Sequence, residues 1–173
     1  MIKQTFIKYS ILTILLSTAW LSQAASLKPY TGKITNPQIH LKDLSGNTHT
    51  LTQYKDQVVL VQFWATYCPP CVKEMPSMNK LQDKLSKAGV AFKILAIDMA
   101  ESKAEVEAFV KRIKPEFTIL MDESGDSIQA WNVFAAPSNF LINKQGEIAY
   151  TLFGGVEWDS AEIIETITQL SQQ

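Results

Sequence analysis

The stretch Val58-Val59-Leu60-Val61-Gln62-Phe63-Trp64 is an almost unbroken apolar run rich in β-branched residues, and shortly after it the chain reads Cys68-Pro69-Pro70-Cys71. Such a run predicts a strand buried on both faces, which places it inside a sheet covered by helices. A helix carrying Met75, Met78, Leu81 and Leu85 on its inner side follows and ends at Gly89. The strand therefore hands the chain directly to a helix, and Cys68 falls near the helix N-terminus. Unpaired N–H groups and the helix dipole there stabilise an anion, so a thiolate is favoured. Pro69 and Pro70 fit the first turn, which has no intrahelical use for their missing N–H, and their fixed φ stiffens the spacer.

Cys68 and Cys71 are the only two cysteines in 173 residues, which excludes a disulfide-scaffold mini-protein and a four-thiolate zinc site. A bridge closing so short a loop is worth only about 2 kcal/mol in the chain-entropy account, and a chain of this length buries enough core to fold without it. Stability is a weak reason for the pair. The expected chemistry is an exposed Cys68 of lowered pKa that attacks a disulfide, with Cys71, one turn deeper, resolving the mixed disulfide. A buried or stapling pair and a two-thiolate metal clip are the alternatives. For the clip, the only histidines are His40 and His49, which alternate with apolar neighbours as exposed strand residues do, so no metal site is expected.

The first 25 residues read as an address. Lys3 and Lys8 precede an apolar run from Tyr9 to Leu21, and Ser22-Gln23-Ala24 supplies small residues at the −3 and −1 positions of a cleavage site. The run is too short for the roughly 20 residues of a spanning helix, so residues 1–24 are expected to be a cleaved signal peptide; an uncleaved signal anchor is the alternative. No cysteine ends the run, which argues against a lipid anchor. Cleavage leaves residues 25–173 as a single domain and moves the formal charge from −1 to −3, since it removes Lys3 and Lys8 and no acid. A mildly acidic chain of 46% hydrophobic and 19% charged residues is ordinary globular composition and gives no sign of a nucleic-acid surface.

Alternation predicts a hairpin over Gln38–Leu44 and Thr48–Leu51, turning at Ser45-Gly46-Asn47, with one face buried. Ala91–Met99 is a second buried strand. Val106, Phe109, Val110 and Ile113 stripe a helix over Glu101–Lys114, stopped by Pro115. A strand at Phe117–Met121, a short helix at Ser127–Phe134 and a hairpin of Asn139–Asn143 with Glu147–Phe153 follow. The last helix starts at Asp159 with Glu162 in a capping-box-like relation and buries Ile163, Ile164, Ile167 and Leu170. The order predicts an α/β fold: a central mixed sheet with helices on both faces and an N-terminal β-hairpin. Lys111-Arg112 and Asp122-Glu123 read as solvated helix and turn faces.

FWATYCPPC, Pro76 five positions after Cys71, Ala136-Pro137 followed by Ser138-Asn139-Phe140-Leu141-Ile142-Asn143, and the turn Lys144-Gln145-Gly146-Glu147 together resemble the thioredoxin superfamily, over residues 35–170. Within it the chain is similar to the exported TlpA/ResA-like thiol-disulfide reductases, which include the cytochrome c maturation thioredoxins. The resemblance implies a thioredoxin-like fold, a cis peptide at Pro137 facing the cysteines, and pairing of the Ala136 backbone with an extended substrate segment. It also implies that Glu74, three positions after Cys71, carries a proton for that thiol if burial raises its pKa. Trp64 and Tyr67 are expected to wall the cleft, although core packing alone explains Trp64 equally well. Gln62 stands where cytoplasmic thioredoxins have a buried aspartate, so their proton relay is not available. The residues before Pro137 lack the glycines often found in the cytochrome c maturation group.

The function expected is a periplasmic thiol-disulfide oxidoreductase reducing disulfides of exported proteins, recharged by a membrane thiol donor, with the Cys68–Cys71 couple in place of a cofactor. The Pro-Pro spacer carries no cation to hold the thiolate, which favours a reductant with a potential below about −200 mV. A disulfide oxidase or isomerase on the same fold, a non-catalytic metal-binding thiol module and a thiol peroxidase are the competing readings.

Overall fold

A computed structural model describes residues 26–173; the signal peptide expected at 1–24 lies outside the described residues. The strands are β1 (Lys28–Pro29), β2 (His40–Asp43), β3 (Thr48–Thr50), β4 (Val58–Trp64), β5 (Phe92–Met99), β6 (Thr118–Asp122), β7 (Ser138–Ile142) and β8 (Ile148–Phe153). The helices are α1 (Pro69–Lys87), α2 (Lys103–Ile113), α3 (Asp126–Ala130) and α4 (Ala161–Ser171). The strands form one mixed sheet in the order β1-β8-β7-β4-β5-β6-β2-β3. β4, β5 and β6 run parallel, and the remaining pairs are antiparallel.

Every residue of β4 is buried, as a strand walled by β5 and β7 and covered on both faces must be. Its pleat sorts the core into two clusters. Val58, Leu60 and Trp64 join Met75, Met78, Leu81 and Leu85 of α1, Val106 and Phe109 of α2, and Ile163, Ile167 and Leu170 of α4. Val59, Val61 and Phe63 join Leu95, Ile97, Trp131 and Phe140 on the opposite face, where Ile128 of α3 packs. Connectivity explains the division. The crossovers β4-α1-β5 and β5-α2-β6 step in the same direction along the sheet, and their right-handedness sets α1 and α2 on one face. The chain then returns from β6 to β7 across the other face, carrying α3.

Several boundaries differ from the sequence reading. α2 begins at Lys103 because Ser102 caps it in a reciprocal capping box with Glu105, and it ends where Lys114 turns left-handed, just before Pro115. α3 is shorter than Ser127–Phe134: Gly125 starts it, and the chain turns at Trp131 and at left-handed Asn132. α4 has no capping box, since its N-cap is Ser160 without a side-chain cap bond and Asp159 instead pairs with Lys84 of α1 at 2.9 Å. Ile164 is half-buried. Asp122 is buried rather than solvated; its carboxylate accepts from the N–H groups of Ser127 (3.2 Å) and Ile128 (2.9 Å), capping α3. The β2-β3 hairpin is half-buried at the sheet edge, and His49 sits between Tyr54 and Asp43 rather than in open solvent. The two-residue β1 gives no alternating pattern by which a sequence could reveal it.

Candidate active site

Cys68 is the N-cap of α1, and its sulfur accepts from the N–H of Cys71 at 3.3 Å. The two sulfurs are joined in a disulfide with Cα atoms 5.3 Å apart. Pro69 and Pro70 occupy the first two helical positions. Cys68 is 7% exposed and Cys71 fully buried, and both lie in the core cluster beneath α1 and α4. Cys68 is thus the outer sulfur, but in the bridged state it is not the freely exposed group expected, because the bond ties it to a residue inside the core.

Glu74 lies one turn beyond Cys71, and it faces inward. Its side chain is 2% exposed. The period-two alternation that sends Val58, Leu60 and Trp64 toward α1 sends Gln62 there too, and the Gln62 Nε2 donates to Glu74 Oε1. The same amide donates to Asn139 Oδ1 of β7 at 3.2 Å, and Asn139 Nδ2 donates to the carbonyl of Leu152 at 3.1 Å. The other carboxyl oxygen, Oε2, accepts from the Val156 N–H at 3.2 Å. Burial pushes the Glu74 carboxyl up to about 7, against the pull of the Val156 N–H and the nearby Trp158 indole. That indole N–H itself forms no hydrogen bond; Trp158 is held by its backbone N–H, which donates to Ser77 Oγ at 3.0 Å. A carboxyl poised near neutrality can take and return a proton without a large cost either way.

A cavity of about 580 Å³ opens beside this carboxyl, lined by Pro70, Lys73, Glu74, Gly155, Val156 and Ile163 among others. Gly155 closes against the spacer: a Cβ there would lie 3.2 Å from Pro70 Cβ and 3.6 Å from Glu74 Oε2.

The Ala136–Pro137 peptide is cis, the form the motif led us to expect. Ala136 packs against the cluster that holds both cysteines, and the Pro137 carbonyl accepts from Gly154 N–H at 3.0 Å. Tyr67 is 73% exposed, consistent with a side chain at a cleft rim. Trp64 is not: it is fully buried with its ring centroid 5.3 Å from that of Phe109, so it supports the loop from below and presents nothing to a bound partner. The reason is register, since Trp64 is the last residue of β4 and points to the α1 face.

The sequence reading marks Gln62 only as standing in the place of a relay aspartate and gives no role to Asn139, Phe134 or Phe153. Gln62 and Asn139 form the polar floor under Glu74. An amide inside an otherwise apolar strand was the available signal for Gln62. Phe134 and Phe153, 82% and 52% exposed, stack with centroids 5.8 Å apart beside the Pro137 loop. Phe134 lies in the loop between α3 and β7 and Phe153 is the last residue of β8, positions where periodicity carries no information. Among the described residues no group of three His, Cys, Asp or Glu is arranged to hold a metal, and no helix is long and apolar enough to cross a membrane.

The AhpC/TSA family profile matches residues 34–151. The thiol-disulfide oxidoreductase ResA of Geobacillus kaustophilus is 38% identical over 128 residues, which cover 74% of this chain and 72% of that protein. The ResA of Geobacillus thermodenitrificans is 39% identical over 120 residues, covering 69% and 68%. The crystal structure of StoA from Bacillus subtilis superposes with a TM-score of 0.63 at 25% identity, covering 79% of this chain and 98% of that one.

Proposed function

The chain belongs to the AhpC/TSA family and is a thiol-disulfide oxidoreductase like the relatives it matches, and from that premise we propose that it is exported to the periplasm and reduces disulfides of exported proteins through Cys68 and Cys71. The observation that carries this reading is the Cys68–Cys71 bridge at the N-cap of α1 with the buried Glu74 one turn further on. The apolar run of residues 9–21 with its small-residue cleavage site supports export.

In the dithiol state the Cys68 thiolate, stabilised by the helix N-terminus, attacks one sulfur of the substrate disulfide. The substrate S–S bond breaks, a mixed disulfide forms, and the released substrate thiolate takes up a proton. Cys71 then passes its proton to the Glu74 carboxylate and attacks the Cys68 sulfur, which frees the second substrate thiolate. Two electrons have moved to the substrate, and the enzyme is left in the bridged form. No cofactor beyond the sulfur pair takes part. A membrane thiol donor restores the dithiol by the reverse exchange. The substrate segment lies along Ala136 and Pro137 with Tyr67 at the rim.

Trapping with Cys71→Ser tests the assignment: partners accumulate as mixed disulfides on Cys68, and their identities name the pathway. Capture by Cys68→Ser alone reverses the roles of the two sulfurs. Equilibration with glutathione tests direction, since a reductant sits below about −200 mV whereas an oxidase approaches about −120 mV.

A further inference from the structure

The end of β5 and the turn after it hold two further carboxyls that the exchange steps do not use. Asp98, next to last in β5, is fully buried and stands in register with Trp64 at the end of β4. Its Oδ1 accepts from the Glu101 N–H at 3.0 Å, and its Oδ2 is buried without a partner. Between the two acids Ala100 has φ 62°, a left-handed conformation that alanine keeps only where surrounding contacts hold it.

That turn sends the Glu101 side chain back onto the loop between β4 and α1. Glu101 Oε2 accepts from the Thr66 N–H at 2.6 Å and Oε1 from the Thr66 hydroxyl at 2.5 Å. Thr66 is two positions before Cys68, whose own N–H donates to the Ala65 carbonyl at 3.2 Å. One carboxylate therefore grips the middle of the three-residue loop that sets the sulfur at the head of α1.

The grip needs Glu101 ionised, because a protonated carboxyl gives up acceptor capacity. A second negative charge at the neighbouring buried Asp98 opposes it. Burial, then the Glu101 side chain, drives the Asp98 carboxyl up to about 8, so at neutral pH Asp98 holds its proton. Glu105 of α2 adds charge of the same sign; Trp64 on β4 and Met121 on β6, which flank Asp98 in the sheet, do not titrate.

We propose that Glu101 is a positioning residue that fixes the loop presenting Cys68, and that Asp98 is its proton-holding partner, loosening the loop when it ionises. The functional half rests on Cys68 being the attacking sulfur; the structural half does not.

The first test uses the bridged protein, in which neither cysteine titrates. The Thr66 amide proton, followed by NMR between about pH 6 and 10, is expected far downfield and to move with one midpoint near 8. In Asp98→Asn, which keeps an acceptor for the Glu101 N–H and carries no charge at any pH, the signal stays downfield and the midpoint disappears. A Thr66 amide that does not move over this range overturns the part assigned to Asp98.

The second test uses the dithiol and the pH profile of Cys68 alkylation by iodoacetamide. Deleting a nearby negative charge by itself lowers a thiol pKa, whereas releasing the sulfur from the helix N-terminus raises it. Glu101→Ala is expected to raise the apparent pKa by about half a unit or more, and Glu101→Gln, which keeps an acceptor for the Thr66 N–H, to remove most of that rise. Equal lowering in both variants overturns the positioning role. If Cys71 proves to be the attacking sulfur, the Thr66 titration is unaffected, so failure of the functional reading is told apart from failure of the clamp.

Discussion

The side-chain amide of Gln62 on β4 donates to the carboxyl of Glu74 on α1, twelve positions later in the chain. Strand and helix are thereby joined by a polar contact in a layer that is otherwise packed with Leu, Met and Ile side chains. Asn139 extends the contact to β7 and the Leu152 carbonyl to β8, so the carboxyl beside the sulfur pair is seated on three strands of the sheet. A buried polar group held this way keeps one geometry, because each member that moved would leave its partner unsatisfied.

Glu74 makes folding stability depend on pH in a defined direction. Burial raises its folded pKa from 4.5 to about 7. A carboxyl that binds its proton more tightly when folded contributes stability that is complete below about pH 4.5 and is lost as pH rises toward 7. The full difference is on the order of 3 kcal/mol. Glu74→Gln is expected to remove this component. Denaturant unfolding of the bridged protein at acid and at mildly alkaline pH checks it: the variant loses less stability than the parent over this interval. Asp98, whose carboxyl is likewise raised, to about 8, leaves a remaining slope in both proteins. A variant as pH-dependent as the parent shows that Glu74 is already ionised in the folded state.

Gln62→Met keeps the volume and removes the amide. Donation from Nε2 favours the ionised carboxyl, so its loss pushes the Glu74 pKa higher still. The pH profile for reduction of a peptide disulfide is expected to move upward by about half a unit to one unit. An unchanged profile would mean that Glu74 does not govern the proton of Cys71.

Legibility from sequence followed the physics of each feature. The β4-to-α1 handover was readable because both of its signals are local: a continuous apolar run, then a proline pair at a helix start. The stripe of Val106 and Phe109 fixed α2 equally well, although its end points depended on the Ser102–Glu105 cap and the Lys114 turn. What stayed hidden depends on contacts distant in sequence. Asp122-Glu123 reads as a charged turn, and only the fold brings Asp122 under the N-terminus of α3. Glu101 reads as the first residue of a helix, yet the left-handed Ala100 turns it onto Thr66, 35 positions away. Trp64 carries the opposite lesson: its adjacency to the cysteines suggested a cleft wall, while the strand's alternation already assigned it to the core.

The two faces of the sheet are expected to respond separately to mutation. Trp131 packs against Phe63 and Phe140 with centroids 5.7 and 5.0 Å away, and its indole N–H donates to the Gln38 carbonyl at 2.8 Å. Trp131→Phe removes that bond and leaves a gap beside Phe140, at a cost of about 2–4 kcal/mol. The cysteines belong to the other cluster. Heat unfolding should show the loss, while the rate of disulfide exchange at 25 °C stays at the parent value; a rate that falls with stability would show that the clusters are coupled through β4.

Gly155 is where the spacer and the Glu74 carboxyl share a wall. Its φ is not left-handed, so the backbone accepts a side chain there without strain, and any effect comes from space alone. An added Cβ meets Pro70 Cβ at 3.2 Å, the Pro70 carbonyl at 3.5 Å and Glu74 Oε2 at 3.6 Å. Pro70 sits in the first turn of α1 between the two cysteines and its ring cannot rotate away, so the helix start must give by a few tenths of an ångström. Gly155→Ala is expected to cost about 1 kcal/mol in unfolding free energy and to slow exchange several-fold. Gly155→Val, which also intrudes on the cavity beside Glu74, is expected to slow exchange further while costing little more in stability. Unfolding curves and exchange rates measured on both variants decide the matter: if the two lose rate only in proportion to lost stability, Gly155 serves packing and the wall it forms with Pro70 has no part in the chemistry.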